Sequence, residues 1–140
     1  MHSSCVTVTK KVHFARRAKG KREIRLGSAP VPQRTPDGRV PRVSRLMALA
    51  IRFDGYLRDG VVADQADIAR LGHVSRARVT QIMNLLRLAP DIQEAVLYLP
   101  RVTQGRDPIT ERDLRPIAAE VDWVVQRGFW GLLTESHRSV

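Results

Sequence analysis

Between Val43 and Arg58, the residues Leu46, Leu49, Ala50, Phe53 and Leu57 recur at intervals of three and four, with Arg45, Arg52 and Asp59 on the other side. That spacing predicts an amphipathic helix, and Gly60 supplies its stop. Asp64, with Asp67 three residues on, has the chemistry of a carboxylate capping box and opens a short helix to about Leu71. Ser75 caps the next, from Arg76 to Leu88, with Val74 and Val79 spaced as a hydrophobic staple. Pro90, followed by Asp91 and Glu94, opens a fourth helix whose Ile92, Val96 and Leu99 face inward before Pro100 closes it. Thr110 and Asp113 form another capping pair, and Pro116, beyond the first turn, predicts a kink or a restart. Trp123, Trp130 and Leu133 mark a last helix over about Asp122–Leu133, with residues 135–140 as a loose tail.

The N-terminal pattern has a different period. Val6, Val8, Val12 and Phe14 alternate with Thr7, Thr9, Lys11 and His13, with Lys10 as the exception, which predicts a half-buried strand. After a basic loop from Ala15 to Arg22, Ile24 and Leu26 flank Arg25 as a second strand, so residues 1–26 read as a β-hairpin arm. Two strands alone are marginal in water, so the apolar face of this arm needs a cover. Residues 27–41, with Pro30, Pro32, Pro36 and Pro41 and the turn sequence Thr35-Pro36-Asp37-Gly38, read as a linker to a helical domain over 42–134. The expected fold is mainly α, a helix-turn-helix bundle with an N-terminal basic hairpin arm.

Charge is distributed along the same boundary. The chain's net charge is +10, and residues 1–45 hold twelve Lys or Arg against Glu23 and Asp37, while the other 95 hold twelve of each sign. A basic arm on a neutral domain is the layout of a nucleic-acid binder. If the arm neutralises about six phosphates, log affinity falls with log salt at a slope near about −5.

Other classes find little support. Cys5 is the only cysteine, and His2, His13, His73 and His137 are dispersed, so neither a disulfide nor a zinc site is expected. No phosphate-binding loop, nucleophile elbow or acid/base pair assembles, and Tyr56 and Tyr98 lie on apolar helical stretches. No catalytic residue, cofactor or metal is therefore expected. Apolar runs such as Leu46–Ile51 are short for a membrane span and no signal peptide is evident, so a cytoplasmic, nucleoid-associated protein without a membrane partner is expected.

Two capped helices meeting across about three residues have the spacing of a helix-turn-helix. Ile68, Val74, Val79 and Ile82 would share its core, and Ala69 is small where the second helix crosses. From Gln65 to Ile82, and on through Leu85-Leu86-Arg87-Leu88-Ala89-Pro90-Asp91-Ile92-Gln93, the chain resembles the DNA-binding region of the ParB and KorB partition and repressor proteins, over roughly residues 62–118. Two departures matter. His73 stands where the family carries the turn glycine, with Gly72 one residue early, and nothing before residue 40 resembles the ParB nucleotide-binding domain. Nucleotide-dependent clamping is therefore not implied. The stretch from Gly105-Arg106-Asp107-Pro108 to Trp130 also resembles short proteins associated with mobile-element recombinases.

In a docked helix-turn-helix the second helix enters the major groove. That assigns base contacts to Arg76, Ala77, Arg78, Gln81 and Asn84, since Arg suits guanine, Gln and Asn suit adenine, and the Ala methyl suits thymine. Ser75, Thr80 and the backbone near Gln65 suit phosphates, and Arg39 and Arg42 beside Val40-Pro41 are backbone or minor-groove candidates. The expected function is sequence-specific binding of double-stranded DNA, as a repressor or as a recombination or partition accessory factor of a mobile element, acting as a homodimer or beside a recombinase. The alternatives are a protein-interaction adaptor and a nonspecific basic RNA binder.

Overall fold

A computed structural model of the chain describes residues 6–16, 22–29, 31 and 37–139. It divides into a unit over Met1–Pro36 and a larger unit over Asp37–Val140. Cys5, most of the basic loop and the Thr35-Pro36 half of the expected turn lie outside the described residues. The fold is mainly helical with one small two-stranded antiparallel sheet.

The first unit contains that sheet, β1 (Val12–Arg16) and β2 (Arg22–Leu26), with Val12 opposite Leu26 and Phe14 opposite Ile24. Period-two alternation puts these four side chains on one face, and all four are exposed. The first strand begins at Val12, although its alternation starts at Val6. The Gly27 N–H donates to the Lys11 carbonyl, and the Gly27 carbonyl pairs with His13 Nδ1, closing the open end of the ribbon.

The larger unit holds α1 (Arg42–Arg58), α2 (Gln65–Leu71), α3 (Arg76–Met83), a 3₁₀ turn over Asn84–Arg87, α4 (Pro90–Leu97), α5 (Glu111–Ala119) and α6 (Trp123–Arg138). Its main core gathers Val43, Met47 and Ala50 of α1 with Ile82, Leu85, Leu88, Ile92, Val96, Leu114 and Ile117. Leu99, Trp130 and Leu133 pack against this core from its edge. Two buried polar side chains lock the helices inside it. Ser44 Oγ donates to the Val96 carbonyl at 2.6 Å, joining α1 to α4. Gln126, fully buried, accepts from the Ala89 N–H at 2.7 Å and donates to the carbonyls of Arg87 and Glu120 at 3.1 and 2.8 Å. One amide thus satisfies one buried N–H and two partly buried carbonyls, the first of which would otherwise carry a desolvation penalty.

The capping chemistry reads out as expected at Asp64, Ser75 and Pro90, and Thr110 with Asp113 forms a reciprocal capping box. Three differences have physical causes. The helix expected to reach Leu88 tightens into the 3₁₀ turn, because Pro90 disfavours helical backbone at Ala89. Helix α5 runs unbroken through Pro116, which forfeits one hydrogen bond while Leu114, Ile117 and Ala118 stay buried on its inner face. Helix α6 continues to Arg138, because Thr134 turns its hydroxyl back onto the Trp130 and Gly131 carbonyls instead of breaking the helix.

Gly38–Pro41 runs along the 101–107 loop, with Arg39 and Val102 exchanging both backbone hydrogen bonds. Gly38 has φ +97°, and a Cβ there would lie 3.0 Å from the Val102 carbonyl oxygen, so only glycine fits this approach. No helix among the described residues is long and apolar enough to cross a membrane.

Candidate nucleic-acid interface

Helix α2 ends at Gly72, and its exit has the hydrogen bonding of a Schellman motif. The Val74 N–H donates to the Ala69 carbonyl and the His73 N–H to the Arg70 carbonyl. The residue between must adopt the left-handed conformation, and His73 does so at φ 52°. His73 stands where the resemblance puts a turn glycine, and it holds the left-handed turn there. Ser75 then accepts from the Arg78 N–H at 3.1 Å and starts α3.

A small cluster of Val62, Ile68, Ala69 and Val79, with Phe53, Leu57 and Met83 against it, holds the two helices together. Val74, expected in this shared core, is 45 % exposed, and Val62 takes that place. The staple position falls just after the left-handed turn, where Val74 lines the rim of an apolar cleft instead.

At about 100° per residue, Arg76, Thr80, Asn84, Ala77 and Gln81 fall on one continuous arc around α3. All five are exposed, whereas Val79 and Ile82 on the opposite arc are buried. Arg76 has no acidic partner among the described residues. Thr80 donates to Gln65 Oε1 at 3.2 Å, which couples the outer faces of α2 and α3.

Arg78 lies on the inner flank, not on this arc. Its guanidinium donates to both Glu111 oxygens at 3.1 and 2.8 Å and to Gln81 Oε1 at 3.2 Å. Burial pushes the Glu111 carboxyl up, but hydrogen bonds and charge from Arg78 and Arg115 outweigh it and hold the group below its ordinary range. Arg39 is similarly engaged, donating to Asp107 and to the Gly105 carbonyl. The Arg42 N–H and the Arg39 guanidinium together hold Asp107 below the usual carboxylate range. Arg78 and Arg39 are therefore the two expected contacts whose guanidinium groups the fold itself uses. Arg42 keeps its side chain exposed.

At the start of α2, the Asp64 carboxylate accepts from the Asp67 N–H, and Asp67 accepts from the Ala63 N–H and from Arg70. Two carboxylates already occupy the positive end of this helix, so its backbone offers an anion little.

Sequence reasoning missed three arginines beside the α3 arc. A shallow groove of about 210 Å³ is lined by Gln81, Asn84, Arg87 and Arg115, with Leu85, Ala118 and Ala119 as its floor. It continues, through Arg115, into a second of about 410 Å³ lined by Arg42, Arg112 and Thr110 among others. Arg87 and Arg112 form no ion pair among the described residues, and the two carboxylates lining the second groove, Asp107 and Glu111, are already paired with Arg39, Arg78 and Arg115. The domain's zero net charge concealed them, because acids such as Asp64, Asp67 and Asp113 sit in caps elsewhere. The only available signal was the absence of a matching acid at helical spacing for Arg112. No group of His, Cys, Asp and Glu among the described residues is arranged to hold a metal ion.

Comparison of the chain with protein-family models, with curated proteins and with solved structures finds no match.

Proposed function

We propose that α2, the His73 turn and α3 act as a helix-turn-helix and that the chain binds double-stranded DNA with sequence specificity. The observation that carries this reading is the exposed arc Arg76, Ala77, Thr80, Gln81 and Asn84, flanked by the groove arginines Arg87, Arg112 and Arg115. The arc supplies a guanine reader, a methyl contact and two amides. The flank supplies phosphate neutralisation without sequence information. Ser75 beside the arc and Thr80 on it serve as further phosphate contacts, Arg42 belongs with the flank, and the α2 start at Gln65, already held by two carboxylates, is left out. Arg78 acts as a positioning residue through Glu111. Repression, or an accessory role in recombination or partition of a mobile element, follows from this activity.

The test is selection of bound duplexes from a random pool, followed by titration of the enriched site. Arg76→Ala with Gln81→Ala reduces affinity for that site at least about tenfold and leaves nonspecific binding nearly unchanged. Arg112→Ala with Arg115→Ala weakens all duplexes alike and flattens the salt dependence by about two units of slope. Failure to enrich any motif overturns the specific reading.

A second reading, a protein-interaction adaptor, draws on an apolar cleft of about 500 Å³ between α1 and α2, lined by Phe53, Tyr56, Val61, Leu71 and Val74 among others. DNA binding that is indifferent to Arg76 and Gln81 favours it.

A further inference from the structure

Helix α6 is apolar on two sides. Its inner side carries the buried Gln126, with Trp130 and Leu133 packed against the main core. Its outer side carries Val124, Val125, Gly128, Phe129 and Leu132, with Val121 at the entrance, and every one of these is exposed. Val121, Val124 and Leu132 are 87 %, 72 % and 66 % exposed. Together these side chains leave on the order of 500 Å² of apolar surface in water, near the upper limit for a monomer's largest patch. A stable interface takes about 800 Å² from each partner, so this stripe with a polar rim reaches the required size.

The pattern within the stripe selects the occupant. On a helix, residues four apart form ridges. Val125 and Phe129 make one ridge, extended by Val121, and Val124, Gly128 and Leu132 make the next, with a notch where Gly128 has no side chain. Nothing lies within 4 Å of a Cβ placed at Gly128, so the notch opens outward. The stripe thus presents a knob, Phe129, directly beside a hole, Gly128. Paired antiparallel about a two-fold axis through Gly128, the two notches face each other and let the helices approach closely, while the Val125–Phe129 ridges of the two copies meet along one flank. The stripe carries no charged side chain, so self-pairing brings no like charges together. The two helices run antiparallel, which also opposes their dipoles.

We infer that the outer face of α6 is a homodimer interface in which two copies pair antiparallel across Gly128. This goes beyond the DNA reading and does not depend on it, because it is measured without DNA. Sedimentation equilibrium of the full chain across the micromolar range tests it. The expected result is a reversible species of twice the 15.8 kDa chain mass. Two single substitutions, Gly128→Leu and Leu132→Glu, each weaken association at least about tenfold. Both sites are exposed, and leucine is a better helix former than glycine, so the far-UV circular dichroism of Gly128→Leu keeps its full helical signal. A monomer at every concentration overturns the inference. So does a dimer that tolerates Gly128→Leu and Leu132→Glu.

Discussion

The helical unit contains two hydrophobic clusters of very different depth. The main one joins α1, α4 and α5 with the end of α3, and it encloses Leu114, Leu88 and the hydrogen-bonded amide of Gln126. The smaller one, between α2 and α3, consists of four buried residues whose largest member is Ile68. Their helix exits match this contrast. Helix α1 leaves by a Schellman motif with glycine, Gly60 at φ 71°, and α2 leaves by the same motif with histidine at φ 52°. The body is built for stability. The α2–α3 pair carries strain and relies on local caps and on the tether from Arg78 to Glu111. The outer surface of the α2–α3 pair can thus be altered with limited effect on the fold beneath it.

The sharpest way to break this contrast is truncation in each cluster. Leu114→Ala costs about 3 kcal/mol, since it empties a fully buried site, and Val79→Ala costs about 2 kcal/mol or less. Gln126→Leu belongs with the larger value, at about 3 kcal/mol, because it strands the buried Ala89 N–H and leaves two partly buried carbonyls without their donor. Urea unfolding curves measure all three, and equal losses at Leu114 and Val79 would erase the distinction.

A smaller effect sharpens the comparison through pH. Arg78→Ala costs about 1 kcal/mol at neutral pH, allowing for partial exposure of the pair. Glu111 has its pKa depressed in the folded protein, so its pairing contributes above the ordinary glutamate range and is lost as pH falls through the folded value. The difference between wild type and variant therefore shrinks in acid. A gap that stays constant down to about pH 3 would show that the pair contributes through packing alone.

The smallest effect has the opposite sign at the two exits. His73→Gly stabilises by up to about 1 kcal/mol, because glycine reaches the left-handed region without a Cβ clash, and Gly60→Ala destabilises by a similar amount. Thermal midpoints moving in opposite directions are the expected result. A loss of stability in His73→Gly would mean that the imidazole contributes more than its backbone costs.

The elements legible in advance were those punctuated by local chemistry. Asp64, Ser75, Thr110 with Asp113, and Pro90 announce helix starts within a few residues of themselves. The turn at His73 could be placed because the resemblance over Gln65–Ile82 puts a turn glycine at that position. Beyond the reach of local signals, reading failed. Arg78 looked like a surface charge because its partner Glu111 is 33 residues away. Gln126 was passed over because glutamine is ordinarily a surface residue. Helix periodicity resolves the outer arc of α3 from Arg76 at one edge to Gln81 at the other, but Arg78 falls only about 60° beyond Gln81, and without its distant partner in view it stayed among the base contacts.

The Arg78–Glu111 tether has a consequence beyond its energy. A helix seated on two buried side chains, Val79 and Ile82, is free to roll on them by small angles, and a roll of about 20° moves the tip of a long side chain by roughly 3 Å. A single guanidinium nitrogen, Arg78 Nη1, donating to both oxygens of Glu111, itself the first residue of α5, pins the azimuth of α3 from the side. It sets the angular phase at which Arg76, Ala77 and Gln81 are presented, as an index pin sets a dial.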